Sequence, residues 1–351
     1  MQDSQINIQF APAMSPEMKL VLCLSQSHID YITSEKIKLL IQKKNNWKYL
    51  IEIASQHGLI SFVYKGLKTV CPNQVPFFPS QKLEKLFWNN LHRNLLIAGE
   101  LAKIVKLLNK KGIKVFPNNG FILGEMTYND IGVYPVEKLD LLVQEKDFFK
   151  LQKLLIEQGY ESELELFNQN LIAAIEDYNE YSYRFVHPRK KMCIEIHWLI
   201  NHKYTSPDIT DYFWQKLEPS SILGVDIDTL MGEDYLLLHC MYAHNYDWRK
   251  LIWLCDIAEM IRKKPDMDWN KLMLTSDNLD SRNILFTGLF LANKLLGATL
   301  PDLIIHKIES DKNVILAASE VANKLFYFRY IEHTLLNFSF DFSSLWKAIK
   351  W

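Results

Sequence analysis

The stretch "GVYPVEKLDLLV", Gly132 to Val143, decides how this chain is read. It begins as an irregular segment around Pro135 and becomes an apolar run of strand length, "LDLLV", with Asp140 inside it. Side chains two residues apart on a strand share a face, so Lys138 and Asp140 stand side by side. An opposite-charge pair on an interior strand gives little net stability, because desolvation offsets most of the attraction. Such a pair points to a site rather than to packing.

Around this stretch the chain is predicted to alternate strands and helices. "IKVF" forms a short strand ended by Pro117. "NNGFILGEMTY" is a loop entering a short helix, and "KDFFKLQKLLIEQG" is a helix closed by Gly159. "YSYRFVHP" and "MCIEIHWLI" form a hairpin across the polar turn "RKK". In the second of these strands Met192, Ile194, Ile196 and Trp198 take the core face. Cys193, Glu195 and His197 take the other face, toward a cleft or solvent. Gly120 opens the short helix after the first strand, where a backbone can approach a phosphate at a helix N-terminus.

The flanks read as helical. Residues from about 16 to 70 carry three- and four-residue apolar spacings, with Gly58 as a helix stop. "CPNQVPFFPS", Cys71 to Ser80, holds three prolines and is expected to be a connection. A long amphipathic helix is expected from Gln81 to Lys111, its stripe being Leu91, Leu95, Ala98, Ala102, Val105 and Leu108. From about Asp211 onward the chain is again expected to be helical. An echo links the ends: Trp47-x-x-Leu50 leads to Gly66-Leu67, and Trp269-x-x-Leu272 leads to Gly288-Leu289 at the same spacing. It suggests one helical-hairpin design used twice, and two copies make no solenoid.

Composition narrows the function classes. The chain has 351 residues, 48% hydrophobic and 23% charged, with a formal net charge of −1. That balance argues against bulk-charge binding to nucleic acid or membrane surfaces. No apolar run approaches the roughly 20 residues of a membrane span, and the N-terminal residues lack the pattern of a signal peptide. The five cysteines are scattered without C-x-x-C spacing, which predicts reduced thiols and a cytoplasmic location. His239 and His244 are five apart and do not form an H-E-x-x-H zinc pair. The lysine-rich "KIVKLLNKKGIK", Lys103 to Lys114, reads as a solvated helix face.

Taken in order, these parts resemble the nucleotidyltransferase superfamily, and more closely the bacterial "uncharacterised nucleotidyltransferase" family found beside peptide and polysaccharide biosynthetic genes. The resemblance rests on Gly120, on Tyr128, on "DLLV" from Asp140 to Val143, and on "IEIHW" from Ile194 to Trp198. It extends to "DWRKLIWLCDIAEMI", Asp247 to Ile261, and to "MDWNKL". It implies an α+β fold: a nucleotidyltransferase-like mixed-sheet core, 101–202, between an N-terminal helical region, 1–100, and a C-terminal helical lobe, 203–351. It also implies two metal ions, Mg2+ or Mn2+, about 3.5–4 Å apart, held by a D-x-D pair and a third carboxylate.

The sequence departs from that pattern at Asn119, where the family has lysine, and at Tyr134, where it has arginine. Lys138 replaces the first aspartate of D-x-D, and an ammonium repels a cation rather than ligating it. Asp140 and Glu195 remain as metal carboxylates, with Lys138 beside them in the catalytic position. Asn119, Gly120, Tyr134, His197, Arg249 and Asp256 are the expected nucleotide or substrate contacts. His197 reads equally as a residue bonded to a neighbour. Arg249, Trp253 and Asp256 recur at i, i+4 and i+7; they either border an acceptor pocket or form a polar seam tying the helical lobe to the core. Tyr128 reads as packing, and Glu125 and Asp130 as surface charges.

Two functions follow. A degenerate member binds a ligand or partner without a metal cofactor. An active member instead transfers a nucleoside monophosphate from a nucleoside triphosphate to a small molecule or modified peptide. Neither reading involves nucleic acid or membrane.

Overall fold

The computed structural model describes residues 14–117, 120–162, 182–200, 207–222 and 224–326. The fold is mixed α+β, with a five-stranded sheet among helices and a separate two-stranded sheet. Among the described residues four helices come first: α1 (Pro16–Leu24), α2 (Tyr31–Ile41), α3 (Trp47–Gln56) and α4 (Ile60–Val70). Gly58 takes a left-handed φ of 75° between α3 and α4, which makes it the stop the sequence indicates. α5 (Phe77–Lys110) then runs for 34 residues.

α5 differs from expectation at its start and in its buried face. It begins at Phe77, inside the proline-rich stretch, because Pro79 lies in the first turn, where its missing N–H is not needed. Val105 and Leu108 of the expected stripe are buried, together with Phe87, Asn94, Ile97, Leu101 and Ile104, while Leu95 is 54% exposed. The polar residues on that face explain the shift. Asn94 donates to the carbonyls of Ile131 and Tyr134, at 2.6 Å each, and Asn90 donates to those of Gly132 and Tyr134 at 2.9 and 3.0 Å. Arg93 adds a bond to the Glu137 carbonyl at 3.0 Å. α5 therefore clamps the irregular segment that leads to Lys138, satisfying its carbonyls in place of secondary structure.

The sheet follows the predicted order with one strand added, the short β3. β1 (Val115–Pro117) leads to α6 (Gly120–Tyr128), β2 (Leu139–Val143), α7 (Phe148–Glu157) and β3 (Glu161–Ser162), and then β4 (Ser182–His187) and β5 (Met192–His197) make the hairpin. The spatial order is β1-β2-β5-β4-β3. Only the β2–β5 pair is parallel; the others are antiparallel. Leu139, Leu141, Ile194, Ile196, Phe185 and Trp198 are buried, with Phe148 of α7 packed edge-on to Trp198 at 5.2 Å. β5 alternates buried and half-buried residues as its sequence indicates.

After α8 (Pro207–Gln215) the chain departs from the all-helical expectation. β6 (Glu218–Ile222) and β7 (Val225–Thr229) form an antiparallel hairpin, turning at Gly224 with φ of 73°. Val225, Ile227 and Thr229 are buried and alternate with Asp226 and Asp228, a period of two that marks a strand. Among the described residues six helices follow: α9 (Gly232–Asn245), α10 (Leu251–Lys263), α11 (Trp269–Asn278), α12 (Arg282–Leu296), α13 (Asp302–Ser310) and α14 (Lys312–Phe326).

The echoed segments are both helical hairpins. In each, an Asn or Asp caps the helix that starts at Trp, Asn46 for α3 and Asp268 for α11. In each, the glycine of the second helix sits where a Cβ would strike a neighbour, Leu24 at 2.7 Å for Gly66 and Trp248 at 2.8 Å for Gly288.

Candidate functional site

β2 and β5 run parallel with Asp140 directly opposite Glu195, so the two carboxylates project side by side from the same face of the sheet. Left alone they would repel. Lys138, just ahead of β2, supplies the missing charge. Its ammonium lies 3.0 Å from Asp140 Oδ1 and also pairs with Glu195 Oε2. All three side chains are largely shielded, at 35%, 17% and 20% exposure, so the attraction is less screened than at a surface. Ser182 of β4 donates to Glu195 Oε1 at 2.9 Å. His197 reaches Asp140 Oδ1 with Nε2 at 3.2 Å. The histidine is thus on the cleft face and bonded to a neighbour, uniting the two alternatives for this position. Asp140, Glu195 and His197 each bring a ligand-type atom within 4.8 Å of the others.

The cleft beside this cluster has a volume of about 160 Å³. One wall comes from Gly120, Tyr134, Lys138 and Asp140; the other comes from Tyr235, His239 and Tyr242 of α9 and from Trp253 of α10. Lys250, just before α10, stands on its rim.

Gly120 lies at the N-terminus of α6, and Tyr134 explains why no larger residue could stand there. A Cβ at position 120 would meet the Tyr134 ring at 2.1 and 2.4 Å. The ring lies across the glycine and carries its hydroxyl down to Asp256, 3.0 Å away. Tyr128 donates to the same carboxylate at 2.9 Å. Burial first, and then the charge of Asp256, push both phenols well above their ordinary range, so both stay protonated and donate. Asp256 itself is fully buried. Its immediate role is the polar seam between α10 and α6; Tyr128, read as packing, belongs to that seam while also packing edge-on to Phe62 at 5.2 Å.

The remaining site residues are placed as follows. Arg249 is not on the α10 face, because the helix starts at Leu251 and Lys250 is its N-cap. It lies 63% exposed, 3.2 Å from Asp247, and is not among the residues that line the cleft. Asn119 is outside the described residues. Glu125 is half-buried, and Asp130 pairs with Lys65 near the α4–α5 face. Sequence reasoning did not find His239, Tyr242 or Lys250 as cleft residues. The spacing of His239 from His244 excludes a zinc pair and gives no other signal, because the contact of His239 with Asp256 arises from packing α9 against α10. Lys250 adjoins Arg249 in "DWRKL", and the helix start determines which of the two borders the cleft.

The family described as uncharacterised nucleotidyltransferases matches residues 43–297. The chain belongs to that family. Among curated proteins none matches it. The nucleotidyltransferase match spans both helical flanks as well as the sheet, so α3 to α12 all lie within it. Among the described residues no helix is long and apolar enough to cross a membrane.

Proposed function

We propose that this nucleotidyltransferase-family chain binds a nucleotide or related phosphate ester in its cleft without the two-metal reaction. The observation that carries the reading is the Lys138 ammonium held between Asp140 and Glu195. A metal pair needs hard oxygen ligands shared between the ions. Here one of those ligand positions bears a positive charge, and that charge offsets one of the two carboxylate charges a metal would draw on while pairing with both groups. The residues do not fit a two-ion centre, so no step of the reading passes through one.

The rest of the cleft supports anion binding. Lys250 lines it, and among the described residues no carboxylate pairs with this lysine. Gly120, which also lines the cleft, adds the N-terminus of α6. Tyr134, Tyr235, Tyr242 and Trp253 give aromatic surface against which a base or sugar can rest. In this reading Lys138 takes over the electrostatic role of the metal and keeps β2 and β5 together.

The test is calorimetric titration with ATP in chelator and again in Mg2+, with pyrophosphate release measured in parallel. The reading expects binding in chelator and no metal-dependent turnover. Binding that appears only with Mg2+ or Mn2+, together with pyrophosphate release, would instead establish the active alternative, transfer of a nucleoside monophosphate to a small molecule or peptide.

A further inference from the structure

His239 lies on α9, five per cent exposed, and its imidazole lines the cleft opposite Lys138. Its Nε2 is 3.2 Å from the backbone carbonyl of Trp253 and 3.2 Å from Oδ2 of Asp256. A carbonyl oxygen and a carboxylate only accept, so Nε2 must carry the proton. In the neutral ring Nδ1 is then an unprotonated acceptor. Among the described residues Nδ1 has no protein partner, and with Nε2 turned to the protein it is the nitrogen left for the cleft. Asp256 is fixed in turn by the hydroxyls of Tyr128 and Tyr134, so the tautomer is set by groups that are themselves held.

From this geometry we infer that His239 Nδ1 is a ligand-recognition group that accepts a hydrogen bond from a ribose hydroxyl of a bound nucleotide. The assignment rests on the nucleotide-binding reading of the cleft and deepens it. In this one cleft Lys250 and the start of α6 offer groups for an anion, Tyr242 and Trp253 offer aromatic surface, and His239 offers an acceptor. The ligand that matches all three carries a phosphate, a flat ring and a free hydroxyl. A buried acceptor left unmatched penalises a ligand that lacks the hydroxyl, which makes the position a specificity determinant.

The experiment compares inorganic tripolyphosphate, ATP and 2′,3′-dideoxy-ATP, each titrated in chelator by calorimetry. Wild type is expected to bind ATP about five- to tenfold more tightly than the dideoxy analogue. In His239→Gln the side-chain amide keeps a donor toward Trp253 and Asp256 but removes the Nδ1 acceptor. That variant is expected to bind the two nucleotides equally, with tripolyphosphate affinity and melting temperature unchanged. Equal binding of ATP and the dideoxy analogue by wild type, with tripolyphosphate still bound, would overturn the His239 assignment alone. A His239→Gln loss shared equally by all three probes would reduce the residue to a structural role and also overturn it. Failure of wild type to bind any of the probes would overturn the nucleotide reading itself, and the assignment with it.

Discussion

Lys138 is one residue with two carboxylate partners, and removing it leaves Asp140 and Glu195 facing each other across paired strands. Lys138→Ala is expected to destabilise the fold by about 1–3 kcal/mol, less than a fully buried pair because the ammonium keeps some contact with water. Urea denaturation measures this, and Glu195→Gln in the same background should recover part of the loss, because it removes the repulsion. An unchanged midpoint in Lys138→Ala would mean that the bridge holds nothing. Gly120 gives a second prediction at this scale. Gly120→Ala pushes a methyl into the Tyr134 ring, and an overpacked contact of this kind costs about 1–3 kcal/mol. The same variant should weaken ATP binding, since the ring can relieve the clash only by moving into the cleft.

At the scale of elements, the site depends on α5 and α10 as much as on the strands that carry it. The segment before β2 has little regular structure, and its carbonyls are taken by Asn90 and Asn94 of α5. Asn94→Leu makes α5 a better amphipathic helix, yet it should cost about 1–3 kcal/mol, because it leaves the Ile131 carbonyl without its donor and the Tyr134 carbonyl with Asn90 alone. Thermal denaturation gives the sign directly; a stabilised Asn94→Leu would show that the clamp is unimportant.

The same residues explain what was legible in the sequence. Strand β2 could be read as an apolar run broken once by Asp140, and β5 by the alternation that places Cys193, Glu195 and His197 on one face. The stripe of α5 was displaced because asparagines serving a loop look like surface residues in a pattern built on apolar spacing. The β6–β7 hairpin was hidden among helices by its short length, although Val225, Ile227 and Thr229 carried its period. The Asp140–Glu195 pair was legible only through the family resemblance, since β2 and β5 are neighbours in the sheet but not in sequence, and His239 and Lys250 join the cleft only through tertiary packing of α9 and α10 against the sheet.

Over the whole molecule, the helical flanks and the sheet are tied by buried charges whose protonation sets an acid limit. Glu100 of α5 lies 2.6 Å from Lys190, in the β4–β5 turn, and accepts from Tyr160 at 3.1 Å. Burial pushes its carboxyl up, but the bonds from Lys190 and Tyr160 and the charges of Lys190 and Lys103 outweigh it, holding the group below its ordinary value of 4.5. A depressed carboxylate contributes stability above its unfolded value and loses it as pH falls through the folded one. The urea midpoint is therefore expected to drop as pH falls below about 4.5, and Glu100→Gln should flatten part of that slope while lowering stability at neutral pH by about 1–2 kcal/mol. An identical acid slope in the variant would remove Glu100 from the account.

The central claim is that an ammonium does here the electrostatic work of a metal ion, and its most direct test is the melting temperature of wild type and of Lys138→Asp, each titrated with Mg2+ in the presence of ATP. The account predicts that ATP stabilises wild type to the same extent with and without Mg2+. It also predicts that Lys138→Asp, carrying three clustered carboxylates, starts less stable and is raised by Mg2+. A wild-type melting temperature that rises with nucleotide only when Mg2+ is present would contradict it.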